Sequence, residues 1–480
     1  MSHREFDVIV IGGGPGGYYA TLRLAQRGLR VACVERDEVG GVCLNWGCIP
    51  SKALIHAAHT YERAKSSAHL GVRAADVSFD LGAAQDFTRG IVKHHTGGVA
   101  ALMRQNGAEL VRGQARIAGA DRVEVAGFGA LVAQRGIVVA TGARPRSLPG
   151  FTADGERILS AREAIRLSRL PRRLLVLGGG VIGIELGSLF QRLGSELTLL
   201  EALPEILPSV DRDLARVVER RLRKKGARVL VGARANGYRS GPDSLFVDVS
   251  TGDTRQTLEV DQVLVAIGFT PNTESLFDAS LNVALDRAGH LITDAQCRTN
   301  LANVFAIGDV SGPPYLAHKA FKEAEVVADV ILGKRTVRDF RAMPMAIFSD
   351  PEIAVSGVGE DEARKAGTPV EIGRFPFSAL GKAQAIDDAE GFVKVVASRG
   401  RLVGFGAVGP HVSELLGEAT LALETQAGVE DLALTVHPHP TISEALREAA
   451  EHALGQAIHI VNARRKVPPA KGPPAQRSLP

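Results

Sequence analysis

Short apolar runs that end on glycine recur along the chain. Phe6-Asp7-Val8-Ile9-Val10-Ile11 leads into Gly12-Gly13-Gly14, and Arg173-Leu174-Leu175-Val176-Leu177 leads into Gly178-Gly179-Gly180. Continuous apolar runs of this length fit strands covered on both faces, which is the habit of parallel sheets. Behind each glycine turn, small and apolar residues repeat at helical spacing, and a second apolar strand then closes on an acid, Glu35 or Glu201. Residues 6 to 35 and 173 to 201 are therefore two versions of one unit. Gly12, Gly14, Gly17 and Gly28 have the same offsets as Gly178, Gly180, Gly183 and Gly194, and both acids lie 23 residues beyond the first glycine.

A lone G-x-G-x-x-G carries little weight, because glycine turns between strand and helix are common. Flanked by strand, helix and an acid-tipped second strand, it is the dinucleotide fingerprint. The first glycine makes the tight turn, the second admits the pyrophosphate, and the third packs helix on strand. Later apolar strands end in similar turns, Val138 to Pro145 and Leu264 to Pro271, and a third, Val304 to Asp309, suggests a return to the first sheet. The expected fold is α/β, with two Rossmann-like dinucleotide-binding domains, one inserted in the other. The boundaries read as 1–148 and 270–340 for the first and 149–269 for the second. From 341 to 463 the pattern changes to an α+β domain, with strands at Gly391 to Ala397 and Leu402 to Val408 and helices at Val412 to Gln426 and Thr441 to Val461. The proline-rich stretch 464–480 reads as a disordered basic tail.

Composition narrows the class. A chain of 480 residues, 45% hydrophobic and 23% charged, is ordinary globular material for about three domains. No apolar run approaches the roughly 18 residues of a membrane span, and no basic-then-apolar leader precedes the first strand, so a cytoplasmic protein without membrane attachment is expected. The net charge of +4 is outweighed by five tail cations, Arg464, Arg465, Lys466, Lys471 and Arg477. The basic balance is thus a tail property and gives no reason to expect nucleic acid.

Both acids, Glu35 and Glu201, suit an unphosphorylated adenosine ribose, and no cation follows Glu201 until Arg212, so NAD is favoured over NADP. Four cysteines are too few for a disulfide scaffold. Cys43 and Cys48 stand out, framed by Gly40, Gly41 and Gly47 and followed by Pro50 and Lys52. A buried cysteine pair is more often a pair of small hydrophobes than a reagent, but this framing favours the reagent. Residues five apart in a regular helix lie ~8 Å apart, whereas a disulfide wants Cα atoms within ~7 Å, so a bridge would need Gly47 to distort the helix. A dithiol and two dinucleotides in one chain can relay electrons if one dinucleotide is a flavin, which makes the first fingerprint the FAD site. Far downstream, His437-Pro438-His439-Pro440-Thr441-Ile442-Ser443-Glu444 permits two readings. Thr441 and Glu444 fit a capping box, or His439 is a base for a thiol substrate, oriented by Glu444. His437 and His439 lack the further ligands of a metal site, and no metal is expected.

With GGGPGGYYA, GGVCLNWGCIPSKAL, GGGVIGIELGSLFQRLG, AIGDV, LAHKA, FPFSALGKA, EGFVKVVA, VGPHVSELLGEA and HPHPTISEAL in view, the chain resembles the dihydrolipoamide dehydrogenases of the flavoprotein disulfide reductase family over about residues 5 to 463. The resemblance implies a redox disulfide in which Cys43 exchanges with substrate and Cys48 is the charge-transfer thiolate beside the flavin. It implies that His439 and Glu444 form an acid–base pair reaching the disulfide from the partner of a homodimer, through a C-terminal dimerisation domain, and that Lys52 and Glu185 form an ion pair near the flavin. For FAD it implies Gly12, Gly14, Gly17, Glu35, Lys52, Ala115, Thr141, Gly142, Ala143, Asp309, Tyr315, Leu316, Ala317 and His318. For NAD it implies Gly178, Gly180, Val181, Ile182, Gly183, Glu185, Glu201, Gly268 and, more weakly, Ala235. The implied partner is a lipoyl-bearing protein: a 2-oxoacid dehydrogenase acyltransferase, a glycine cleavage carrier or another lipoyl carrier. Two departures stand out: Phe321-Lys322 where acids are usual after LAHKA, and Ala354-Val355-Ser356-Gly357 for the commoner A-S-V-G. Another disulfide reductase of the family, acting on a different thiol, is the main alternative, and a non-catalytic FAD-stabilised scaffold is a remoter one.

Overall fold

A computed structural model describes residues 4–462, so the tail expected at 464–480 lies outside the described residues. These gather into two compact units. One takes the residues within Met1–Ser209, Val218–Phe340 and Phe348–Asp350, the other those within Val210–Val217, Arg341–Ile347 and Pro351–Pro480.

In the first unit, strand Arg4–Ile11 runs parallel to Val31–Glu35 on one side and to Gly129–Val139 on the other. Its alternate residues feed two cores, as the pleat requires. Ile9 and Ile11 pack with Ile117, Leu131 and Val139, while Val8 and Val10 pack with Leu24, Met103 and Val327. Strands Glu109–Arg112, Arg122–Val125 and Ala115–Ile117 extend this sheet. The chain returns to it at Val304–Ala306, which lies parallel to Ile137, Val138 and Val139.

A second sheet, five-stranded and parallel, is ordered Arg228–Val231, Glu196–Glu201, Arg173–Leu177, Gln262–Val265 and Ile158–Leu159. An antiparallel meander, Ala233–Ser240, Leu245–Thr251 and Thr254–Val260, packs into the same core through Leu245, Val247 and Val249. The glycine turns that end Gly129–Val139 and Gln262–Val265 meet in a two-stranded ribbon, Ala143–Pro145 with Phe269–Pro271.

The second unit is built on an antiparallel sheet ordered Met345–Ile347, Glu352–Gly357, Arg401–Gly409, Phe392–Ser398 and Glu371–Pro376. Helix Glu444–Leu454 lies so close to the last strand that a Cβ at Gly373 would stand 1.8 Å from the Ala449 carbonyl oxygen, which excludes any larger residue there. Lys394, 1% exposed, is compensated by Asp211, Asp213 and Glu360 at 2.5, 2.9 and 3.3 Å, as a buried ammonium must be.

Helix limits differ from the expectation in two places. Val412 to Gln426 divides into a 3-10 turn, Val412–Leu415, and helix Leu416–Glu424. The last helix is Glu444–Leu454 rather than Thr441 to Val461, because Gly455 adopts the left-handed conformation (φ 71°) that ends helices.

Candidate active site

The two fingerprints fold alike at their key glycines and acids. Gly12 and Gly178 have φ of 102° and 112°, where a Cβ would strike the Ala140 or Ala266 carbonyl oxygen at 2.3 or 2.4 Å. At Gly17 and Gly183 a Cβ would lie 1.7 and 1.9 Å from the carbonyl oxygens of Gly12 and Gly178, so the helix can approach its strand only with glycine there. Glu35 accepts the Gly13 N–H at 2.6 Å and the Asp37 N–H at 2.7 Å. Glu201 accepts the Gly179 and Leu203 N–H groups at the same distances. Each carboxylate keeps further lone pairs for ribose hydroxyls. Helices Pro15–Gln26 and Val181–Arg192 start from Gly14 and Gly180 with no capping side chain, leaving N–H groups and the positive dipole end for a pyrophosphate.

The cysteine segment is laid onto the first of these turns. Gly41 (φ 56°) passes so near Gly14 that a Cβ would stand 2.6 Å from its Cα. Asn45 secures the loop, its Nδ2 donating to the Val39 and Gly41 carbonyls at 3.1 and 2.9 Å. The helix Gly41–Asn45 stops, Trp46 and Gly47 break the path, and a new helix, Cys48–Ser66, begins. Cys43 and Cys48 therefore do not share one helix. Both are free thiols, and each acts on the ionisation of the other. Hydrogen bonding to the Cys43 thiol pulls Cys48 below the ordinary thiol pKa; burial opposes this and the charge of Lys52 assists it. The same bond, with burial and the Cys48 charge, pushes Cys43 up. Cys48 is also the first residue of a 19-residue helix, where the dipole favours an anion.

One turn on, Lys52 Nζ meets Glu185 Oε2 at 2.8 Å and lies 4.7 Å from the Phe348 ring centre. The other oxygen of Glu185 accepts the Phe348 N–H at 2.8 Å. Arg192 ties the same two helices together, reaching Glu62 at 3.1 Å and Asp350 at 3.0 Å. Neither Phe348 nor Asp350 was legible as part of this arrangement, since no motif surrounds them. Tyr18 is a further addition: burial, then the charges of Cys43 and Cys48, push its hydroxyl up to about 12.

Thr141 Oγ1 donates to the Asn272 carbonyl at 2.9 Å, and Asn272 N–H to Gly142 at 3.0 Å, beside Ala143 in the ribbon. Ala115 is buried in strand Ala115–Ile117, and Ala235 lies in the meander opposite Val249. Gly268 (φ 105°) turns the chain into the ribbon. Burial pushes the Asp309 carboxyl up to about 6 against the pull of Lys319, and a half-buried acid of this kind suits a polyhydroxyl chain. Leu316 caps helix Ala317–Ile331, whose first turn holds His318. The unusual Phe321 stacks on Tyr19 at 5.0 Å and tilts against Tyr18 at 6.0 Å, forming a small aromatic cluster. Open helix ends, glycine-cleared approaches, the backbone-anchored acids Glu35 and Glu201 and the half-buried Asp309 together fit FAD at the first fingerprint and NAD at the second.

In the second unit, the two histidines separate clearly. His437 is buried with both ring nitrogens engaged, by Glu418 and by the Thr435 carbonyl, each at 2.9 Å. His439 is 79% exposed; its Nδ1 meets Glu444 Oε1 at 2.9 Å, leaving Nε2 open. Burial disfavours the Glu444 charge, but the Thr441 N–H and His439 outweigh it and hold the carboxyl below its usual range. The capping box forms only in part. Glu444 accepts from Thr441 N at 2.9 Å, while Thr441 Oγ1 turns to the Pro438 carbonyl at 2.7 Å and the helix starts at Glu444 itself.

Comparison with known proteins covers nearly the whole chain. Residues 6–324 match the family described as pyridine nucleotide-disulphide oxidoreductase, and residues 343–450 match its dimerisation domain. Dihydrolipoyl dehydrogenase of Thermus scotoductus is 47% identical over 466 residues, 96% of this chain and 100% of its own. That of Geobacillus stearothermophilus is 41% identical over 461 residues, 95% and 98% of the two chains. Among solved structures, LpdA of Mycobacterium tuberculosis superposes with a TM-score of 0.86 at 28% identity, covering 93% and 99%. The HOCl-induced flavoprotein disulfide reductase RclA of Escherichia coli gives 0.83 at 26% identity, covering 93% and 99%.

Proposed function

The chain belongs to the pyridine nucleotide-disulphide oxidoreductase family, and from that premise we propose that Cys43 and Cys48 are the thiol–disulfide centre at which it oxidises protein-bound dihydrolipoyl groups. It is an FAD-containing oxidoreductase with dihydrolipoyl dehydrogenase activity and uses NAD⁺ as acceptor. The observation that carries the residue assignment is the placement of the pair itself: Gly41 is laid on the Gly14 turn, and Cys48 opens a new helix one turn before Lys52.

His439 accepts the proton of a dihydrolipoyl thiol at Nε2, because Glu444 takes the Nδ1–H and fixes that tautomer. The freed thiolate attacks Cys43 of the disulfide, a bond forms between substrate sulfur and Cys43, and Cys48 leaves as thiolate. Cys48 is the better leaving group because its anion is stabilised by the charge of Lys52 and by its place at the start of helix Cys48–Ser66. The second substrate thiol then displaces Cys43 and passes its proton to the departing sulfur, releasing lipoyl disulfide and leaving the protein pair reduced by two electrons as the Cys43 thiol and the Cys48 thiolate. When bound, FAD supplies the two-electron chemistry that links these thiols to NAD⁺. Lys52 and Glu185 hold their ion pair where the second fingerprint helix meets the cysteine helix.

The assembly is a homodimer in which His439 of one copy serves the cysteine pair of the other, and a lipoyl-bearing carrier delivers the substrate. The two fingerprints mark separate domains, residues 1–148 with 270–340 and residues 149–269. None of the helices among the described residues is long and apolar enough to cross a membrane.

Mapping of thiols tests the reading. Anaerobic NADH added to the oxidised holoenzyme should expose two alkylatable thiols, located at Cys43 and Cys48 by peptide mass, and lipoamide should protect them again. Labelling there that ignores NADH would overturn the assignment.

A further inference from the structure

Beside the proposed FAD site runs a hydrogen-bonded line that the thiol chemistry leaves unused. His290 is buried, 6% exposed, in the turn between Asp286 and Leu291. Its Nδ1 meets Asp286 Oδ2 at 2.9 Å, and its Nε2 meets the Tyr315 hydroxyl at 2.7 Å. The turn is itself pinned, since Asp286 Oδ1 accepts the N–H groups of Ala288 and His290 at 2.8 and 2.9 Å. Tyr315 directly precedes Leu316, the cap of helix Ala317–Ile331, and its ring lies edge-on to Phe269 at 5.9 Å, one residue beyond Gly268. Asp309 is near enough that its charge acts on Tyr315.

The line has a direction. Asp286 accepts from Nδ1–H; in that Nδ1–H tautomer of His290, Nε2 is the acceptor and the Tyr315 hydroxyl donates to it. The phenolic oxygen keeps its lone pairs for a further donor. Neither a phenylalanine nor an unsupported tyrosine would present a fixed acceptor there.

We propose that Asp286 and His290 hold Tyr315 as a positioning residue of the FAD site, its hydroxyl oxygen fixed as an acceptor for a hydrogen-bond donor of the cofactor. This rests on the flavoprotein reading and adds to it a three-residue support that reaches from exposed Asp286 to the cofactor wall. The ring packing of Tyr315 and the hydroxyl are separable, which makes the idea testable.

FAD is removed from the parent protein and from Tyr315→Phe, His290→Gln and the double variant, and the apoproteins are titrated with FAD by fluorescence. Tyr315→Phe keeps the Phe269 contact and should weaken FAD binding roughly three- to tenfold, the worth of one hydrogen bond, with a shift in the visible flavin absorption of the bound form. His290→Gln should give a similar loss, and the double variant little more than either single change, because both break the same line. Parent-like affinity and spectrum in Tyr315→Phe would overturn the inference, as would fully additive losses. If His290→Gln fails to fold, Asp286→Ala, at an exposed position, replaces it in the cycle under the same criteria. A parent protein that takes up no FAD would overturn the flavoprotein reading as well, and so is told apart from failure of Tyr315 alone.

Discussion

Cys43 and Cys48 show how much local setting assigns. Two thiols five residues apart would be equivalent in a symmetric setting, but Cys48 opens a 19-residue helix with Lys52 one turn on, while Cys43 sits in the five-residue helix Gly41–Asn45, where burial and the Cys48 charge outweigh the pull of Lys52. The anion therefore settles on Cys48. Cys43→Ser and Cys48→Ser should each abolish dihydrolipoamide-dependent reduction of NAD⁺ while FAD remains bound, measured by turnover together with flavin absorbance; near-parent turnover in either would remove the pair from the mechanism. His439 and His437 make the same point in the second unit. His439→Gln should slow thiol–disulfide exchange by roughly 10² to 10⁴, the usual value of a positioned base, and Glu444→Gln should do less. His437→Gln should act on thermal stability instead, because it breaks two buried hydrogen bonds. Equal, small kinetic effects from both histidine variants would return His439 to the role of a loop residue.

At the scale of the element, the strand–turn–helix units work because backbone approaches backbone. Gly41→Ala should release FAD, since the new Cβ would need the space of the Gly14 Cα at 2.6 Å and a φ of 56°. Equilibrium dialysis of the variant reads this directly, and FAD retained at parent affinity would mean that the two turns need not touch. The second unit of this kind carries the coenzyme choice. Glu201, fixed by two N–H groups, would face an added 2′-phosphate without a neighbouring cation on its loop. NAD⁺ should therefore exceed NADP⁺ by at least ~100-fold in kcat/KM, about 2.7 kcal/mol in barrier, and comparable efficiencies would contradict the role given to Glu201. These elements were legible in advance, since a strand buried on both faces and a glycine that must be bare are both local demands. The helix ends were less so. Thr441 has the residue type of a cap, yet its hydroxyl found the Pro438 carbonyl instead.

For the whole molecule, His439 lies in the second unit and the cysteines in the first, and the proposed homodimer pairs them across copies. A two-fold interface is self-complementary and yields two equal sites, so the homodimer should be the active form and the monomer should lack dihydrolipoamide turnover even with FAD bound. Subunit exchange between inactive Cys48→Ser and inactive His439→Gln homodimers should restore one working site per heterodimer. Exchange confirmed by ultracentrifugation without recovered activity would mean that the base acts within its own chain or is another residue.

The linear chain by itself determined the paired fingerprints, the acids that close them, the cysteine segment and the His439–Glu444 spacing, because each is a set of residues within about one element of each other and answers to local geometry. The Lys52–Glu185 pairing came from resemblance and is met in space at 2.8 Å. Only the tertiary structure decided that Phe348 N–H satisfies Glu185, that Phe321 stacks on Tyr19, and that Asp286, His290 and Tyr315 form one line. Such contacts join residues from distant parts of the chain or from turns without a periodic pattern, and no period or motif encodes a partner that only the packing of separate elements brings within 3 Å.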